Sequence, residues 1–109
     1  MKKELILYEL IVLFNFTLTE QELSEKLDLY RNFLTERGSQ VLVKIHGTRS
    51  LAYPIKGFDT ANYVQIIYLG NGTLNQQINT ELQRDESILR TVTTKLLGQN
   101  VSDIFAFAV

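Results

Sequence analysis

The sequence predicts an α+β domain with its elements in the order β-α-β-β-α-β, forming a four-stranded antiparallel sheet with two helices on one face. Three observations carry that prediction. Two apolar stripes recur at helical spacing, each just after a residue able to cap a helix. Strand-like runs flank and separate them. The single proline, Pro54, lies near the end of one such run, where a residue without an N–H is tolerated only at a sheet edge or a strand end.

Residues 5–14 make the first strand. Leu5, Leu7, Ile11 and Leu13 share one parity and Ile6, Tyr8, Leu10, Val12 and Phe14 the other, so both faces are apolar and the strand is expected to be central. Glu9 is the exception, and its parity should mark the face that helices leave open. Thr19 reads as an N-cap with Glu22 completing a capping box, and Leu23, Leu27, Tyr30 and Leu34 follow on one helical stripe. Gly38 ends that helix as a residue free to take positive φ.

From Val41 the pattern changes period. Val41, Val43 and Ile45 alternate with Leu42, Lys44 and His46, as in a strand with one buried face that lies at an edge or ends near Tyr53. Residues 56–62, with Gly57 and Asp59, are expected to connect it to a strand at residues 63–69, whose nearly continuous apolar run suits cover on both faces. Gly70-Asn71-Gly72 then breaks the chain, and Thr73 is the expected cap of a second helix carrying Leu74, Ile78 and Leu82. Asn71-Gly72 is also a hairpin signal, but residues 75–84 have helical rather than alternating periodicity. Residues 88–97, whose Thr and Val content favours a pleated surface, make the last strand. A helix crossing between strand pairs in this order is the ferredoxin-like split βαβ arrangement. The expected domain covers residues 1–97, and residues 98–109 form a short tail ending IFAFAV.

With 109 residues, 45% hydrophobic and 21% charged, the composition is that of one ordinary globular domain. The absence of cysteine removes disulfides, thiolate ligands and thiol nucleophiles together. The basic start and apolar run of MKKELILYELIVLFNF invite a signal-peptide reading, but Glu4 and Glu9 interrupt the run and no small-residue cleavage site follows it. A buried strand is the better account. No Arg- and Ser-rich transit sequence is present, so a plastid location would imply synthesis there.

Little in the chain suggests catalysis. His46 has no cysteine, second histidine or acidic cluster beside it, so neither a zinc site nor a nucleophile–base pair is expected. Glu20, Glu22 and Glu25 suit a helix start, and Asp85 and Glu86 read as solvated charges at a helix end. Gly70-Asn71-Gly72 lacks the spacing of a phosphate-binding loop. Lys56-Gly57-Phe58 begins like an aromatic RNA-recognition signature, but the next residues do not continue it. Arg49, Lys56, Arg90 and Lys95 lie on or near strands, where their stems can cover apolar surface while their heads reach phosphate. Tyr53 and Tyr63 are expected at the core margin with hydroxyls at the rim. No cofactor, metal, membrane or small-molecule substrate is expected. A net charge of -1 sits poorly with nucleic-acid binding, which needs a cationic footprint.

HGTRSLAYPI followed by NYVQ resembles the signature strands of the bacterial-type ribosomal protein six family of the small subunit. YELIVLFNFTLTEQEL, the GNG loop and LQRDESILRTVTTKL follow the family's order and spacing over nearly the whole chain. NYVQ and GNG are most similar to the cyanobacterial and plastid branch. The resemblance implies a non-enzymatic constituent of the small subunit, working in the plastid stroma or bacterial cytoplasm. It also implies binding to the central domain of the subunit's RNA together with the basic ribosomal protein eighteen, a partner able to supply the missing positive charge. Arg49 matches the first arginine of the family's Arg-Arg-Leu-Ala-Tyr motif, while Ser50 replaces the second. Relatives are often basic in the following turn, where Gly57, Phe58 and Asp59 stand here. The expected RNA contacts are Arg49, Lys56, Arg90 and Lys95. An open sheet edge at Tyr53 and the tail residues Ile104, Phe105 and Phe107 are the expected partner contacts. The alternative is a ligand-sensing or homodimerising ferredoxin-like module. An acylphosphatase-like hydrolase would need a glycine-rich anion loop with an arginine, which is lacking.

Overall fold

The computed structural model describes residues 6–96. The strands are β1 (Ile6–Asn15), β2 (Val41–Ile55), β3 (Phe58–Gly70) and β4 (Ile88–Lys95), and the helices are α1 (Glu20–Thr35) and α2 (Gly72–Gln83). The sheet runs β2-β3-β1-β4 with each neighbouring pair antiparallel. The expected ferredoxin-like order is therefore observed, with β1 and β3 in the middle and β2 at an edge.

Strand parity decides what is buried. Tyr8, Leu10, Val12 and Phe14 of β1 join Val64, Ile66 and Tyr68 of β3 beneath the helix stripes Leu23, Leu27, Tyr30, Leu34 and Leu74, Ile78, Leu82. Both helices thus cover one face, and Glu9 lies on the other. Tyr8 and Tyr68 face each other in register and stack with 5.4 Å between ring centroids. The Tyr68 hydroxyl donates to Asn75 Oδ1 at 2.6 Å, and burial pushes its pKa well above the usual phenol value.

The first helix is capped as its sequence suggests. Glu22 N–H donates to Thr19 Oγ1 at 3.1 Å, and Thr19 N–H donates to Glu22 Oε1 at 2.9 Å. Hydrogen bonding from the Thr19 backbone N–H, and then from its side chain, holds the Glu22 carboxyl below its ordinary value. At the other end Gly38 takes φ 85°, which lets Ser39 N–H reach back to Leu34 O at 3.1 Å.

Several expectations need correction. The β2–β3 connection is only two residues long, because Lys56 (φ 50°) and Gly57 (φ 84°) both take positive φ in the type I′ pattern whose twist matches a hairpin. Residues 58–62 accordingly belong to β3. Of the two alternatives for β2 it is the edge position that holds, since the strand passes Tyr53 and runs to Ile55. Its pairing lapses between Ser50 and Ile55, and Pro54 sits in that gap, where no ladder donor is required. Ile45 is 58% exposed, whereas Val41 and Val43 are partly buried against the core, since a bulge at Gly47 (φ 87°) follows Ile45 and the edge position leaves it uncovered. Asn71 rather than Thr73 caps α2, its Oδ1 accepting Leu74 N–H at 2.9 Å. β4 ends at Lys95, after which Leu96 N–H donates to Leu7 O at 2.8 Å.

Asp85 is the largest departure, because it is not a solvated charge. Its side chain is 10% exposed and accepts from Tyr30 Oη at 2.5 Å, Ser87 Oγ at 2.6 Å, Ser87 N–H at 2.9 Å and Lys26 Nζ at 3.0 Å. This carboxylate ties α1 to the loop between α2 and β4. Burial alone would raise its pKa, but the bonds from Ser87, Tyr30 and Lys26 outweigh burial and bring it down to about 2.

Candidate RNA- and protein-binding surface

The face opposite the helices is built by the remaining parity. Across β1, Ile11 stands beside Gln65 of β3 and Val92 of β4, and Leu13 beside Tyr63 and Arg90. Glu9 shares this face. On β2, Arg49 is opposite Ala61, of the same parity as Tyr63, and is exposed. Its guanidinium carbon lies 5.4 Å from the Tyr63 ring centroid, a cation–π arrangement that leaves its N–H groups available.

Arg90 and Tyr53, expected to serve different partners, touch each other. Arg90 Nη1 donates to Tyr53 Oη at 2.6 Å, so the outer end of the β2–β3 hairpin curls across to β4. The Tyr53 side stays 58% exposed. Lys56, at the hairpin tip, donates to Ile88 O at 3.3 Å and helps hold the tip on the start of β4. Phe16 and Phe58 pack edge to face beside it, centroids 5.9 Å apart.

Arg49, Lys56, Arg90 and Tyr53 therefore gather at one end of the sheet. Lys95 does not join them. It pairs with Tyr8 whereas Arg90 pairs with Leu13, five strand positions apart, which is about 16 Å at the usual rise. Lys95 also has the parity of the helix-covered face. Ile104, Phe105 and Phe107 lie outside the described residues.

A hydrogen-bonded chain on the open face escaped the sequence reading. Gln65 Nε2 donates to Glu9 Oε2 at 2.7 Å, and Gln65 Oε1 meets His46 Nε2 at 2.9 Å. An ionised carboxylate only accepts, so it takes the Gln65 amide hydrogens, turns the amide oxygen toward His46 and requires the proton on His46 Nε2. The parity of Glu9 was a visible signal. Its partners come from register and from the bulge that places His46, neither of which is written locally.

Among the described residues no group of His, Cys, Asp and Glu is arranged to hold a metal ion, and no helix is long and apolar enough to cross a membrane. Fold and surface together define a small α+β module with one sheet face left open by the helices and with cations and rings at one end of the sheet. Residues 7–95 match the family model of ribosomal protein S6. The small ribosomal subunit protein bS6c of Guillardia theta is 36% identical over 90 residues, covering 82% of this chain and 94% of that one. The bS6 protein of Rippkaea orientalis is 37% identical, covering 82% of this chain and 73% of its own length. The chain belongs to the ribosomal protein S6 family. A crystal structure of 30S ribosomal protein S6 from Thermotoga maritima has the same fold, with a TM-score of 0.82 at 21% identity, covering 95% of this chain and 99% of that one.

Proposed function

We propose that this chain is a non-enzymatic structural component of the small ribosomal subunit, in a plastid or a bacterium, that binds the central domain of the subunit's RNA together with ribosomal protein eighteen. Family membership supports the ribosomal role, and its relatives come from both settings. The observation that carries RNA contact is the gathering of Arg49, Lys56 and Arg90 at one end of the sheet, which suits contact with a phosphate backbone. Lys95 serves a separate phosphate near the other end of β4.

A chain of net charge -1 cannot hold RNA tightly with so few cations, so the basic partner supplies most of the electrostatic attraction. Tyr53 and the tail residues Ile104, Phe105 and Phe107 are the proposed contacts with that partner. Self-association through β2 is disfavoured, because the bulge at Gly47, the exposed Lys44 and Pro54 all oppose strand-to-strand pairing along the edge. Fluorescence anisotropy of a labelled central-domain RNA fragment tests the reading. At physiological salt the isolated chain should bind weakly and the mixture with ribosomal protein eighteen tightly, with an affinity that falls steeply with salt. Tight binding by the chain alone would overturn the division of labour.

A further inference from the structure

Glu9 sits at the floor of a depression of about 380 Å³ on the open face, walled by Ile11, His46, Arg49, Tyr63 and Gln65. It is half-buried, and its strand neighbours on this face are largely apolar. One oxygen, Oε2, accepts from Gln65. Among the described residues no cation lies within ion-pair distance of the carboxylate, and Oε1 receives no hydrogen bond. Arg49 is nearby, yet it engages the Tyr63 ring instead. A carboxylate with one oxygen held by Gln65, the other free and no counter-ion in reach is placed to accept N–H donors from an arriving cation.

The rest of the depression is shaped for that arrival. Gln65 fixes the carboxylate and is itself fixed by His46, so the acceptor is held in place before binding. The Tyr63 ring, braced edge-on by His46 at 5.4 Å between centroids, and Ile11 offer the apolar walls along which an arginine stem can lie. Negative charge at the floor repels a phosphate and attracts a guanidinium, which a carboxylate can bind through parallel N–H donors.

The geometry points to the Glu9 depression as a receptor for an arginine side chain of a basic protein partner, a contact that rests on the partner reading given under Proposed function. The partner thereby docks on the sheet face itself, beside the cationic end where RNA is expected. Arg49, stacked on the Tyr63 ring, remains free for phosphate.

The test starts with the small probe Nα-acetyl-argininamide, titrated at millimolar concentration into the full chain while NMR follows the Gln65 side-chain amide and the Tyr63 ring. Saturable shifts centred on these groups are expected, with none from the uncharged isostere Nα-acetyl-citrullinamide. Glu9→Gln, which keeps an oxygen to accept from Gln65, should abolish them and lower affinity for ribosomal protein eighteen by about tenfold or more. Equal shifts from the citrulline probe, no shifts at all, or unchanged partner affinity in Glu9→Gln would each overturn the receptor. Saturation by guanosine monophosphate in place of the arginine probe would make the depression a nucleobase site and also overturn it. The citrulline comparison uses the unaltered chain, so it decides the matter even if the variant misfolds. Binding of the arginine probe with no binding of ribosomal protein eighteen would leave the receptor standing and remove the partner reading.

Discussion

Asp85→Asn should cost stability at neutral pH and little at pH 2. The carboxyl falls from its ordinary 3.8 to about 2 in the folded chain, and at roughly 1.4 kcal/mol for each factor of ten in acidity its ionised form stabilises the fold by about 2 to 3 kcal/mol. Asp85 is nearly buried and Lys26 is 31% exposed, so solvent screens the lysine bond more than those from Tyr30 and Ser87. Because the folded value is depressed, the contribution is fully present above about pH 4 and fades as pH falls toward 2. An asparagine can still accept from Ser87, but its amide group cannot accept from both Tyr30 and Lys26. Urea unfolding of wild type and variant, at matched ionic strength, should show a gap of about 2 to 3 kcal/mol at pH 7 that has mostly closed at pH 2. A gap of the same size at both values, or none at pH 7, would refute the assignment of this carboxylate as the tie between α1 and the α2–β4 loop.

Leu27→Ala removes a side chain only 4% exposed in the helix-covered core and should cost about 2 to 5 kcal/mol in urea unfolding. A cost near zero would place the α1 stripe on the wrong face. Gly57→Ala meets no atom within 4 Å of the new Cβ but must hold φ near 84°, so the expected loss is purely conformational, about 1 to 2 kcal/mol. No loss would argue against the two-residue turn. Arg49→Glu, at an exposed position, should leave the circular dichroism and unfolding midpoint unchanged while weakening RNA association of the chain with its partner. Unchanged RNA affinity would remove Arg49 from the surface.

Elements whose signals are local were legible in the sequence. The Thr19–Glu22 capping box, the α1 stripe ending before Gly38 and the two-sided apolar pattern of β1 each specify their own structure within a few residues. The open face followed from one misplaced polar residue, Glu9. What was not legible depends on contacts made at a distance. The Lys56-Gly57 turn carries no strong hairpin dipeptide, and its length follows from the twist of the two strands it joins. Asn71 and Thr73 are both good caps, and the choice follows from how Leu74 seats in the core. Asp85 finds Tyr30 and Lys26 across 55 and 59 residues. The same holds for the surface, since Arg49, Lys56 and Arg90 were identifiable one by one as strand cations, but only register and the curl of the hairpin bring them together and leave Lys95 apart.

The central claim, that this chain works as part of the small ribosomal subunit, is tested most directly by sedimentation of lysate from cells expressing a tagged copy at native level, through a sucrose gradient in high magnesium. The chain should migrate with 30S particles and with ribosomal protein eighteen, and should leave the particle fraction together with that partner when salt is raised. A chain that stays at the top of the gradient in high magnesium, while ribosomal protein eighteen migrates with the particles, would contradict it.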